Sequence, residues 1–196
     1  MFAIAGGKGG CGKTTTTLGL ARALVRRDTA PLVVDTDVDM PDLHLLADVA
    51  AEPNATDLAD GAHIECVRQQ SARYPGVSVV PAGETAATAT ALRRLDEWDG
   101  PVLVDCPAGA SVDATVPLRA AQQTVLVTTD TPQSLTDARK TATVADRMDA
   151  PVLATLIRGS NSRDVDTPAD AHHVERITNA PSDTPLTDEQ FRLACE

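Results

Sequence analysis

Gly7-Lys8-Gly9-Gly10-Cys11-Gly12-Lys13-Thr14 is the stretch that decides how this sequence folds. Its spacing is G-x-x-x-x-G-K-[ST], and each fixed position has a physical reason. Glycines let the main chain adopt dihedrals closed to other residues and come close to a phosphate. Successive N–H groups then form an anion nest, to which the start of a helix adds its dipole. Lys13 reaches toward β- and γ-phosphates, and the Thr14 hydroxyl is placed to ligate Mg2+. Gly7, Lys8, Gly9, Gly10, Cys11, Gly12 and Thr15 make up the rest of the expected cradle. The four fixed positions arise by chance in about 1% of chains of this length. Here the loop also follows a short apolar run, Phe2–Ala5. It precedes a segment with Leu18, Ala21, Leu24 and Val25 at helical spacing.

Working outward, short runs rich in Val and Leu recur at Leu32–Val34, Val77–Pro81, Val102–Asp105, Thr124–Thr128 and Val152–Ile157. Continuous apolar runs indicate strands covered on both faces. Helix-like stretches at about 86–98, 111–121 and 133–148 are long enough to cross between parallel strands. The expected fold is α/β: a three-layer, mostly parallel sheet with helices on both faces, in a single domain spanning 1–196. Residues 159–185 are rich in Asp, Asn, Ser, Thr and Pro and predict a long loop. Thr187-Asp188-Glu189-Gln190 predicts a capping box opening a short terminal helix within 186–196.

The chain has 196 residues and a formal net charge of -11, and only 2% of its residues are aromatic. Its lysines are Lys8, Lys13 and Lys140, so two of them sit in one short loop. A dense carboxylate surface that stays hydrated suits high salt, and it opposes non-specific binding to nucleic acid. Cys11, Cys66, Cys106 and Cys195 form no C-x-x-C pair, and they predict buried, inert thiols rather than zinc ligands or disulfides. No leader and no run of about 18 apolar residues stands out, which predicts a cytoplasmic protein.

Lys8 adds a second signal. Lys8-Gly9-Gly10-Cys11-Gly12-Lys13-Thr14 resembles the K-G-G-x-G-K-[ST] signature of the deviant Walker A ATPases of the MinD/ParA type. The acidic, lysine-poor composition gives the chain a haloarchaeal-like character within that family. The resemblance extends to Leu32-Val33-Val34-Asp35-Thr36-Asp37 with Val38–Leu43 as a first switch. It also covers Val102-Leu103-Val104-Asp105-Cys106-Pro107-Ala108-Gly109 as Walker B and second switch, Val127–Ala138, and Val77–Gly83. In all it spans residues 1 to about 158.

The resemblance implies an ATP- and Mg2+-dependent homodimer. Lys8 would cross to the partner's nucleotide, Lys13 would bind phosphates and Asp37 would position the attacking water. Thr14 would ligate the metal and Asp105 would hold a metal-bound water, with Asp35 near the metal's shell or Lys13, and Pro107 would sense the γ-phosphate. It implies slow hydrolysis that a stimulating or cargo protein speeds up, serving intracellular positioning or partitioning.

Two departures matter. The family's adenine-reading Asn is replaced by Ile157, which cannot hydrogen-bond a base, so ATP over GTP rests on the family alone and Arg158 is left to flank the base. The terminal residues Phe191–Glu196 are short and not basic, unlike a membrane-docking helix. Two other readings share the fold: an ATP-dependent ligase or synthetase for a small carboxylate, and a nucleotide-sensing adaptor that does not hydrolyse.

Overall fold

The computed structural model describes residues 1–7, 9–109 and 111–159, and the backbone of 173–177. Among the described residues eight strands form one sheet: β1 (Phe2–Ala5), β2 (Leu32–Asp35), β3 (Gln69–Gln70), β4 (Ser78–Val80), β5 (Val102–Asp105), β6 (Gln123–Thr129), β7 (Val152–Arg158) and β8 (His173–Ile177). The order across the sheet is β3-β4-β2-β5-β1-β6-β7-β8. Every pairing is parallel except β3 with β4. The helices are α1 (Lys13–Val25), α2 (Leu43–Ala47), α3 (Ala55–Ala59), α4 (Ile64–Val67), α5 (Thr85–Arg94), α6 (Val112–Ala120) and α7 (Pro132–Arg147).

Alternation along the strands builds two cores, because successive strand side chains point to opposite faces. Ala3, Ala5, Leu32, Val34 and Leu126 pack with Leu58, Leu92, Leu118 and Ala145 on the face covered by α3, α5, α6 and α7. Ile4, Val33, Leu103, Val127 and Leu156 pack with Leu18, Leu20, Ala21 and Leu43 on the face covered by α1 and α2. β2 and β5 are buried along their whole length, which accounts for their unbroken apolar runs.

The strand ends split the molecule into two poles. The loops leaving the carboxyl ends of β1, β2, β5 and β7 lie at one edge. At the opposite edge, the Trp98 indole N–H donates to the Ala30 carbonyl at 3.2 Å, joining the segments that enter β5 and β2. The Arg68 guanidinium lies 5.6 Å from the centre of the same ring.

The stretch 159–185, expected to be a loop, contains β8 at His173–Ile177, parallel to β7. Its sequence, His-Val-Glu-Arg-Ile, is short and charged, as suits an edge strand, and so carries little apolar signal. The remainder of that stretch and the terminal helix expected within 186–196 lie outside the described residues. Among the described residues no helix is long and apolar enough to cross a membrane.

Candidate nucleotide site

β1 ends at Ala5, and the glycine loop turns the chain into α1. Gly12 caps α1 with φ of 90°, a left-handed conformation natural to glycine. No side chain caps this helix. Asn54, Ser111 and Thr131 cap α3, α6 and α7 with their side chains, whereas α2 and α5, like α1, have no side-chain cap. The first-turn N–H groups of α1 are therefore left for an anion. Around Gly9 and Gly10 there is open space where a side chain would project, as a phosphate cradle requires. The rest of the loop is wedged in place. A Cβ at Gly7 would strike the backbone of Asp137 and Ala138 on α7, and one at Gly12 would strike the Arg158 guanidinium. Cys11 is buried at 3% exposure and packs in the α1-side core, as a small apolar residue would.

Parallel pairing brings the expected carboxylates beside the loop. Asp35 of β2 lies in register with Asp105 of β5, and Asp105 with Ile4 of β1. Asp105 is 1% exposed. Burial pushes its carboxyl up to about 7 despite hydrogen bonds from Thr14 and Thr17 and the nearby Lys13 charge. The Thr17 hydroxyl lies 3.1 Å from Asp105 Oδ1. Asp35 is raised to about 8 by burial first and by the Asp105 charge second.

Asp35 directs both oxygens to the following loop: Oδ1 accepts from the Asp37 N–H at 2.9 Å and Oδ2 from the Leu43 N–H at 3.4 Å. It thus braces the first switch segment. Asp37, half-buried, accepts from the Met40 N–H at 3.2 Å. Its pKa is raised by desolvation and pulled back by that hydrogen bond and by Lys13. Lys13, 7% exposed, is the cation shared by Asp37 and Asp105.

The second switch is tied to the loop through the main chain: the Gly109 N–H donates to the Gly6 carbonyl at 3.1 Å. Pro107 is buried beside it, while Thr14 is partly exposed and Thr15 exposed. Cys106 is buried, and burial pushes its thiol far up, so it stays protonated and inert, whereas Cys66, expected to be buried, is exposed on the short helix α4. Lys8 lies outside the described residues. Two contacts escaped the sequence reading. The Thr17 contact was hidden in a run of four threonines, and the bracing role of Asp35 depends on how the loop folds back.

The donor set fits Mg2+. A hydroxyl and a buried carboxylate are hard oxygen ligands, and this ion takes few protein ligands and completes its shell with water and phosphate oxygens. A close pair of buried carboxylates with one lysine is also a site short of positive charge. These two groups bind more protons folded than unfolded. Their contribution to stability is complete below the unfolded value near 3.8 and is lost as pH rises through about 7 to 8. The nucleotide-free protein is therefore expected to melt at lower temperature at pH 8.5 than at pH 6. Asp105→Asn should flatten that slope in thermal scans, and an unchanged slope would refute this assignment.

Residues 2–177 match the profile of the CobQ/CobB/MinD/ParA nucleotide binding domain. The chain belongs to this family. The septum site-determining protein MinD of Synechocystis is 31% identical over 150 residues, 70% of this chain and 56% of that protein. The chain thus spans little more than half of that relative's length. The structure of the cell division ATPase MinD of Pyrococcus furiosus superposes with TM-score 0.73 at 30% identity, covering 87% of this chain and 76% of that one. MinD of Pyrococcus horikoshii, complexed with Mg-ADP, superposes with TM-score 0.78 at 25% identity, covering 92% and 81%. These two MinD structures share the fold of the sheet and helices found here.

Proposed function

We propose that this chain is a Mg2+-dependent ATPase that dimerises with ATP bound and separates after hydrolysis. The observation that carries it is the convergence of an uncapped α1, an open glycine cradle, Lys13 and three carboxylates at one sheet edge. Lys13 and the α1 N–H groups would bind the phosphates. Thr14 and Asp105 would hold the metal, which offsets the charge developing on the transferred phosphoryl group. Asp37, on the braced switch and near Lys13, would orient the attacking water. Lys8 would reach the nucleotide of the second subunit, and Arg158, lying over Gly12, would flank the base.

Exposed apolar side chains support an interface at this pole. Met40, beyond β2, is 75% exposed, and Val112, beyond β5, is 82% exposed. Met40 lies within the first switch segment and Val112 three residues beyond the second, so a nucleotide that orders the switches also shapes this surface. The experiment is sizing by light scattering with ATP, ADP and no nucleotide. A dimer with ATP and a monomer otherwise is expected, and one size in all three states would refute the switch. Val112→Asp, at a position already in solvent, is expected to weaken the ATP-bound dimer at least about tenfold while the fold stays intact.

The cleft between the switches gives the ligase alternative no support. It is lined by Thr36, Val38, Asp39, Thr85, Pro107 and Asp113, and its volume is about 20 Å3. That is space for a water molecule, and its two carboxylates would repel an acidic acceptor. The cellular role consistent with the family is positioning or partitioning, with a stimulating or cargo protein as partner.

A further inference from the structure

We propose that Thr17 is a positioning residue for the metal site: its hydroxyl fixes the Asp105 carboxylate so that the remaining oxygen serves Thr14 and Mg2+. This rests on the magnesium-nucleotide reading above. Thr17 lies one turn beyond Lys13 on α1 and is fully buried. Its Oγ1 is 2.9 Å from the Lys13 carbonyl and 3.1 Å from Asp105 Oδ1. The single hydroxyl proton is shared between these two acceptors, so the hydroxyl links the backbone of the phosphate-binding helix to the end of β5.

The need for such a contact follows from burial. The rotamer of a carboxylate 1% exposed is set by the few donors it meets. The donors here are Thr14 and Thr17. The Thr14 oxygen is the one expected to bind the metal, so it moves with the ligand. Thr17, locked inside the helix, is the donor that does not depend on what is bound. Losing it leaves Asp105 free to turn and leaves a buried oxygen without its donor.

The test compares Thr17→Val, Thr17→Ala and Thr17→Ser, with Mg2+ titrated against binding of a fluorescent ATP analogue. Serine and alanine differ only by the hydroxyl, so the pair separates hydrogen bonding from packing even if valine fails to fold. Expected is a rise of about tenfold in the Mg2+ needed for half-saturation in Thr17→Ala and Thr17→Val. Thr17→Ser should stay within about twofold of wild type, and Mg2+-free nucleotide binding should be alike in all four proteins. Equal Mg2+ half-saturation in Thr17→Ala and Thr17→Ser overturns the assignment. Wild-type protein that binds the analogue without any Mg2+ dependence overturns the magnesium reading itself, and Thr17 with it.

Discussion

Lys13→Ala is expected to weaken ATP binding by at least about 100-fold and to abolish hydrolysis. Lys13 is buried among acids, and after the Met40 and Thr14 hydrogen bonds its charge is the next influence favouring the ionised forms of Asp37 and Asp105 against burial. Without it a polyanionic triphosphate would enter a pocket with no buried cation among the described residues to meet it. The helix dipole of α1 supplies only about half a charge. Isothermal calorimetry with ATP and Mg2+ reads the affinity, and circular dichroism shows whether the fold survives. A variant that binds ATP within about threefold of wild type would end the phosphate-site assignment.

Asp37→Ala is expected to act on turnover rather than on binding. Asp37 is only half-buried and holds no part of the sheet core; its structural contact is with the Met40 N–H. Hydrolysis should fall by about 10²–10³-fold while ATP affinity changes by less than about threefold. The ATP-bound dimer should then persist instead of decaying. Asp37→Asn is the discriminating control, because its amide oxygen still accepts from Met40 but carries no charge. Equal loss in both variants identifies the carboxylate as the water-orienting group. Near-normal turnover in Asp37→Asn would reduce Asp37 to a loop-shaping residue.

The fold was readable where local pattern and global burial agree. The Val- and Leu-rich runs of β2 and β5 are continuous because both faces are covered, and the glycine loop announced the turn from β1 to α1. β3 is two glutamines and β8 has Glu175 and Arg176 side by side between Val174 and Ile177, so neither had an apolar run to find. Within the site, residue identities were legible but their partners were not. Asp35 could be read as a strand-end acid, whereas its grip on the Asp37 and Leu43 amides depends on the loop folding back over eight residues. The meeting of Arg158 with Gly12 likewise comes from β7 lying two strands from β1, an order no local pattern encodes.

The pairing of Trp98 with Ala30 and Arg68 has a practical corollary. The chain's single indole is held at the pole remote from the phosphates by a hydrogen bond and a guanidinium over its ring. Its ultraviolet emission is thus a thermometer of global unfolding and a poor gauge of ligand occupancy. An optical assay of nucleotide traffic calls for a dye or a second indole engineered near the other end of the sheet.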